Sequence, residues 1–273
     1  MTFDLRRTAL GVLLAIGITT AMDSSGLSAF SALPLLPLMA LFWYMERFSR
    51  GSMGFVRGKR SDYGLAMLHP LIVLGFLVIV SVGVGAVDTS HTSWGGAWRN
   101  FAGMVAATCL VAVLTEEGFF RGWLFASLED KGLKPDRALL WSSAAFALWH
   151  LSAVLLPTGF ELPRAQIPLF IVNAGLMGAI WGLMRSISGS VIVSSVSHGV
   201  WNAGAYVFFG FGTKVGALGI ENTAVYGPEV GILGLVLNLA FAFALWRRWK
   251  ARTPSIHVET AEARSKRASP ASP

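Results

Sequence analysis

Three short clusters in this chain contain the side chains a hydrolytic site requires. They are Thr115-Glu116-Glu117-Gly118-Phe119-Phe120-Arg121, Phe146-Ala147-Leu148-Trp149-His150, and His198-Gly199-Val200-Trp201-Asn202. A carboxylate beside an imidazole can take a proton from water, because each sets the other's protonation state. Imidazole and amide donors can hold the charge that builds on a carbonyl oxygen as water attacks. Glu117 and Arg121 are four apart, so on a helix they share a face and can pair. Glu116 points about 100° away from Glu117, towards a different neighbour. His198 and Asn202, also four apart, present two polar groups on one face. A metal chemistry is open as well: Glu116, His150 and His198 form a possible ligand set for Zn²⁺, with a fourth position for water. The residue types alone do not choose between a glutamate-activated and a metal-activated water.

All three clusters lie inside apolar runs. The chain of 273 residues is 54% hydrophobic and 14% charged, whereas a soluble domain carries nearer a quarter charged residues. The mean hydropathy is +0.59. Apolar runs lie near 8–22, 29–45, 65–87, 101–127, 138–156, 166–184, 189–210 and 229–246, and a membrane span needs about 20 residues. The expected fold is all-α, a polytopic membrane bundle of about eight transmembrane helices. Residues 1–250 form the single membrane domain. The tail 251–273, rich in Ser, Pro, Ala and charge, is expected to be disordered and cytoplasmic.

The net charge of +7 is read as topology rather than as nucleic-acid binding, because the basic residues fall in short gaps between apolar runs. With both termini in the cytoplasm, that side holds Arg6, Arg7, the loop from Arg47 to Arg60, Lys131, Lys134, Arg137, Arg185 and the end from Arg247. Only Arg99, Arg164 and Lys214 fall opposite. That asymmetry favours an even number of spans in an inner or plasma membrane. The loop 46–62 is basic and is read first as a positive-inside loop, with binding of anionic lipid headgroups as the alternative. Cys109, the single cysteine, rules out an intramolecular disulfide.

Depth brings the clusters together. Measured from expected helix ends at the cytoplasmic face, Glu116 lies about 16 Å deep and His150 about 18 Å. His198 and Asn202 lie at about 14 and 20 Å. Independent packing residues have little reason to share a level, and ionisable groups within spans are costly and usually functional. Gly118, Gly122, Gly199 and Gly204 would let the helices that carry them approach their neighbours closely. Gly178-x-x-x-Gly182 suits either packing inside the bundle or a contact between chains.

Glu116-Glu117-x-x-x-Arg121, Phe146-x-x-x-His150 and His198-x-x-x-Asn202 resemble the three signature motifs of the CAAX-prenyl-protease and bacteriocin-processing (CPBP, or ABI) family. The resemblance covers roughly 100–206. It implies an intramembrane endopeptidase whose partner is a peptide or a lipidated or membrane-protein substrate. Glu116 and His150 would activate water, Glu117 and Arg121 would form a supporting pair, and His198 and Asn202 would stabilise the oxyanion. The family is usually described as metalloproteases, which implies zinc as a cofactor. The alternative from a different class is a non-catalytic membrane scaffold, immunity factor or regulator. A proton-coupled transporter fits less well, since the sequence shows no repeated halves.

Overall fold

The computed structural model describes residues 5–268, with side chains through residue 251. The chain builds α1 (Arg6–Ser24), α2 (Leu35–Glu46), α3 (Arg60–Gly83) and α4 (Trp94–Leu114). A π-helical segment, Glu117–Leu124, then leads into α5 (Phe125–Asp130). Next come α6 (Pro135–Trp149), α7 (Leu151–Leu155), α8 (Ile167–Ser188) and α9 (Val191–Gly204). A second π-helical segment, Ala205–Phe209, extends α9 into a small hairpin of β1 (Gly210–Phe211) and β2 (Lys214–Val215). The short α10 (Thr223–Tyr226) precedes α11 (Ile232–Ala268).

Among the described residues, six helical stretches are long and apolar enough to cross a membrane: Ser28–Glu46, Arg60–Gly83, Trp94–Asp130, Pro135–Leu155, Arg164–Ser188 and Ile232–Ala251. This is an all-α polytopic membrane bundle. The expected runs 8–22 and 189–210 are helical but not among the six. In α9 the reason is plain: Ser194, Ser195, Ser197 and His198 are all buried inside the protein, so this helix has little need of a lipid-facing apolar surface. α1 is tied to the bundle by polar contacts instead. Its Thr8 hydroxyl pairs with Ser127 at 2.8 Å, and its Thr19 hydroxyl accepts from the Trp149 indole at 2.8 Å. The backbone of α11 continues as helix to Ala268, through most of the stretch expected to be a disordered tail. The last five positions of that stretch lie outside the described residues.

Two expected spans are continuous in sequence but broken in structure. The run 101–127 leaves α-helical geometry at Thr115, whose φ and ψ are −115° and −94°, and resumes as the π-helical turn that carries Glu117 and Arg121. The run 138–156 turns at His150, between α6 and α7. Both irregularities therefore fall at candidate site residues. π-Helical turns occur mostly at functional sites, because the extra residue re-aims side chains.

α9 is the central helix, packed against α3, α4 and α8. Ser190 caps its start by accepting from the backbone N–H groups of Ile192 and Val193. Glycine sets how closely its neighbours come. A Cβ on Gly199 would stand 2.7 Å from the backbone nitrogen of Cys109 in α4, and one on Gly204 would meet Leu74 of α3. A Cβ on Gly118 would lie 2.7 Å from the Val113 carbonyl. Gly178 and Gly182 face Ser143 and Leu139 of α6, so that pair serves packing within the bundle.

Candidate active site

The centre of the site is a chain of charge around His198. Glu117 is fully buried, and one of its carboxylate oxygens, Oε1, lies 3.1 Å from His198 Nδ1. The same oxygen is 3.2 Å from Arg121 Nη1. The expected i,i+4 pair is therefore present, and the π-helical turn also aims Glu117 at α9. By distance the Glu117–Arg121 contact is an ion pair, yet neither terminal guanidinium nitrogen makes a well-formed hydrogen bond. The guanidinium instead lies 4.0 Å from the Phe146 ring centroid and 5.4 Å from that of Trp181, where the ring faces offer it partial negative charge.

On the opposite edge of the His198 ring, Nε2 lies 3.8 Å from Glu116 Oε2. The ring is stacked on Trp181, with centroids 3.7 Å apart and planes 12° from parallel. His198 thus bridges the two glutamates. His150 faces the same space from the α6–α7 turn. Its Nδ1 is 2.8 Å from the Phe146 carbonyl, and a carbonyl oxygen can only accept, so Nδ1 carries the hydrogen and Nε2 keeps its lone pair in the neutral ring. Glu116, His150, His198 and Asn202 all line one cavity of about 80 Å³. Glu117 and Arg121 stand behind its wall. No direct contact joins Glu116 to His150; they meet across the cavity.

Residues that sequence reasoning did not place here complete the wall. Asn173 lines the cavity together with Trp181, Tyr206 and Glu229. Asn238 lies behind Asn173 and donates to its Oδ1 at 3.1 Å. Glu229 lies between α10 and α11, at the edge of an apolar run, where a charge reads as a flank. His69, in the third apolar run, is fully buried and pairs with Asn238 Oδ1 at 3.0 Å. Its place inside an apolar run is a signal that could have found it, but the sequence reading passed over it.

Zinc is the group the resemblance implies. Among the described residues, no three His, Cys, Asp or Glu side chains are gathered closely enough to hold a metal ion. Glu116, His150 and His198 would have to draw closer to do so; the Nδ1 contacts of His198 with Glu117 and of His150 with the Phe146 carbonyl leave each Nε2 as the atom that would ligate.

A second, larger space adjoins the site. An open groove of about 1450 Å³ runs beside α4, past Ala97, Gly103, Ala107 and Thr108, to the hairpin. Tyr206 lines both this groove and the smaller cavity.

The fold and site together define a polytopic membrane protein in which a Glu–His–Asn cavity is enclosed by helices. Residues 98–204 match the family model described as type II CAAX prenyl endopeptidase Rce1-like. The matched stretch begins in α4, ends with α9 and includes Glu116, Glu117, Arg121, His150, His198 and Asn202. Over these residues the match supports the resemblance to the CPBP (CAAX protease) family, and with it a CAAX-type intramembrane endopeptidase. No curated protein and no solved structure matched the chain.

Proposed function

We propose that this protein hydrolyses a peptide bond of a lipidated peptide or protein at the membrane, using a water activated by Glu116 and His150. The observation that carries this reading is the meeting of Glu116, His150, His198 and Asn202 around one cavity, with Glu117 and Arg121 buried behind them. Water held between Glu116 and the free Nε2 of His150 would lose its proton to this pair as it attacks the carbonyl carbon. The Asn202 amide supplies a donor to the oxyanion. His198 supplies a second when protonated, because Glu117 holds the Nδ1–H and leaves Nε2–H for substrate. Stacking on Trp181 holds the plane of the ring.

The groove beside α4 supports access for an extended polypeptide, which would reach the cavity past Tyr206. The distribution of basic residues favours an inner or plasma membrane with both termini in the cytoplasm.

Cleavage of a quenched, farnesylated CAAX-type peptide by the purified chain in detergent tests the proposal. Wild type is expected to cut, and Glu116→Gln and His150→Ala are each expected to lose at least about 10²-fold in rate. Equal cleavage in all three would sink the assignment. A parallel arm with a metal chelator is expected to leave the rate unchanged; loss of activity there would mean that Glu116, His150 and His198 rearrange around zinc.

A further inference from the structure

One carboxyl in the cavity takes no part in activating water or binding the oxyanion. Glu229 lies beyond the matched stretch, on the loop between α10 and α11, and it is fixed at both ends. Its backbone carbonyl accepts from the Asn173 amide at 3.1 Å, and its side-chain Oε1 accepts from the Trp201 indole N–H at 2.8 Å. Trp201 stacks on His69, with centroids 4.6 Å apart and planes 4° from parallel. His69 pairs with Asn238 at 3.0 Å, and Asn238 donates to Asn173 at 3.1 Å. These contacts close a ring, Glu229–Trp201–His69–Asn238–Asn173, drawn from α3, α8, α9, α11 and the loop. Buried polar rings are costly to build unless every member is satisfied. This one holds the Glu229 carboxyl, its one titratable group on the cavity wall, beside Asn173.

Amide hydrolysis needs more than an attacking water. The departing nitrogen is a poor leaving group until it gains a proton, and Glu116 and His150 are occupied in taking one. We propose that Glu229 is a further catalytic residue, the acid that protonates the leaving amine. In this step the water oxygen bonds to the carbonyl carbon and its proton passes to Glu116 and His150. The C–N bond then breaks, and its electron pair takes the proton of the Glu229 carboxyl. The products are a carboxylic acid and an amine, and the proton held by Glu116 and His150 returns to Glu229 through solvent. Burial supports the role, pushing Glu229 up to about 7 against the opposing pull of the Trp201 N–H and His198. The groups facing it are Glu116, His198 and Tyr206, together with the Trp201 N–H.

The inference rests on the endopeptidase reading, and one experiment separates the two. The full chain in detergent is given two farnesylated quenched peptides that differ only at the scissile linkage, an amide in one and a thioester in the other. A thiolate departs without prior protonation, since a thiol has a pKa of about 8.5. Glu229→Gln is expected to lose about 10²–10⁴-fold on the amide and to stay within about threefold of wild type on the thioester. Glu229→Asp, which keeps the acid, is expected to fall between them on the amide alone. Glu116→Gln should lose both cleavages, showing that one site cuts both peptides. An equal loss on the two linkages, or an unchanged amide rate in Glu229→Gln, overturns the inference. If Glu229→Gln does not fold, Glu229→Asp decides by the same comparison. Wild type cutting neither peptide overturns the endopeptidase reading and this inference with it, whereas wild type cutting both with no linkage-dependent loss removes Glu229 alone.

Discussion

His198 is held on three sides: Glu117 at Nδ1, Glu116 near Nε2 and Trp181 across its face. If the stacking fixes the ring for oxyanion binding, Trp181→Ala should lower kcat more than it raises KM, while Trp181→Phe keeps most of the rate. Steady-state kinetics on the quenched peptide would show the difference, and a change confined to KM would assign Trp181 to substrate binding instead. Arg121 bears on stability. It is 1% exposed and its partner Glu117 is fully buried. Arg121→Ala strands that carboxylate, and breaking a buried pair typically costs about 3–5 kcal/mol. Thermal unfolding in detergent should therefore show a large fall in Tm. Arg121→Lys should recover little of it, because a compact ammonium lacks the planar face that lies on Phe146.

At the scale of elements, the site is made where helices stop being regular. A straight α-helix would carry Glu116 and Glu117 on adjacent faces; the break at Thr115 and the π-helical turn let both reach the two edges of His198. The close approach of α4 to α9 depends on Gly199. Gly199→Ala sets a methyl 2.7 Å from backbone that cannot move aside, and overpacking of this kind typically costs about 1–3 kcal/mol. Gly175→Ala in α8 is the control, because its nearest neighbour would be an ordinary 3.5 Å away. A fall in Tm for the first and not the second would confirm that glycine fixes this spacing. These elements also show what the sequence could reveal. Apolar runs gave the helices, and polar residues stranded inside them gave Glu116, Glu117, Arg121, His150, His198 and Asn202. The breaks at Thr115 and His150 were invisible, since nothing local distinguishes a π-helical turn from an α-helical one. Glu229 was hidden for another reason: its burial comes from Asn173 and Trp201, remote in sequence, and not from its own surroundings in the chain.

Across the whole molecule, a hydrolase enclosed by helices has two conflicting needs. The reacting groups must be shielded from lipid, yet water and a polypeptide must reach them. The structure separates these needs spatially. The cavity between Glu116 and His150 is small, at about 80 Å³, whereas the groove beside α4 is open and about 1450 Å³. The groove wall on α4 includes the small residues Gly96, Ala97, Gly103 and Ala107, which leave room for a chain to lie along the helix. Asp88, Arg99, Lys214 and Glu221 also line it and offer polar partners to a peptide backbone on its way to the cavity. If this is the route, Ala107→Trp should fill the groove without touching any catalytic group. Cleavage of the farnesylated peptide should fall at least about tenfold, mostly through KM, as expected when substrate binding is lost and the chemical step is left intact. The variant's Tm should remain near that of wild type, because the new ring would stand in open space. An unchanged KM with a folded protein would mean that substrate arrives by another side of the bundle, and that the groove shares Tyr206 with the cavity for a reason other than access.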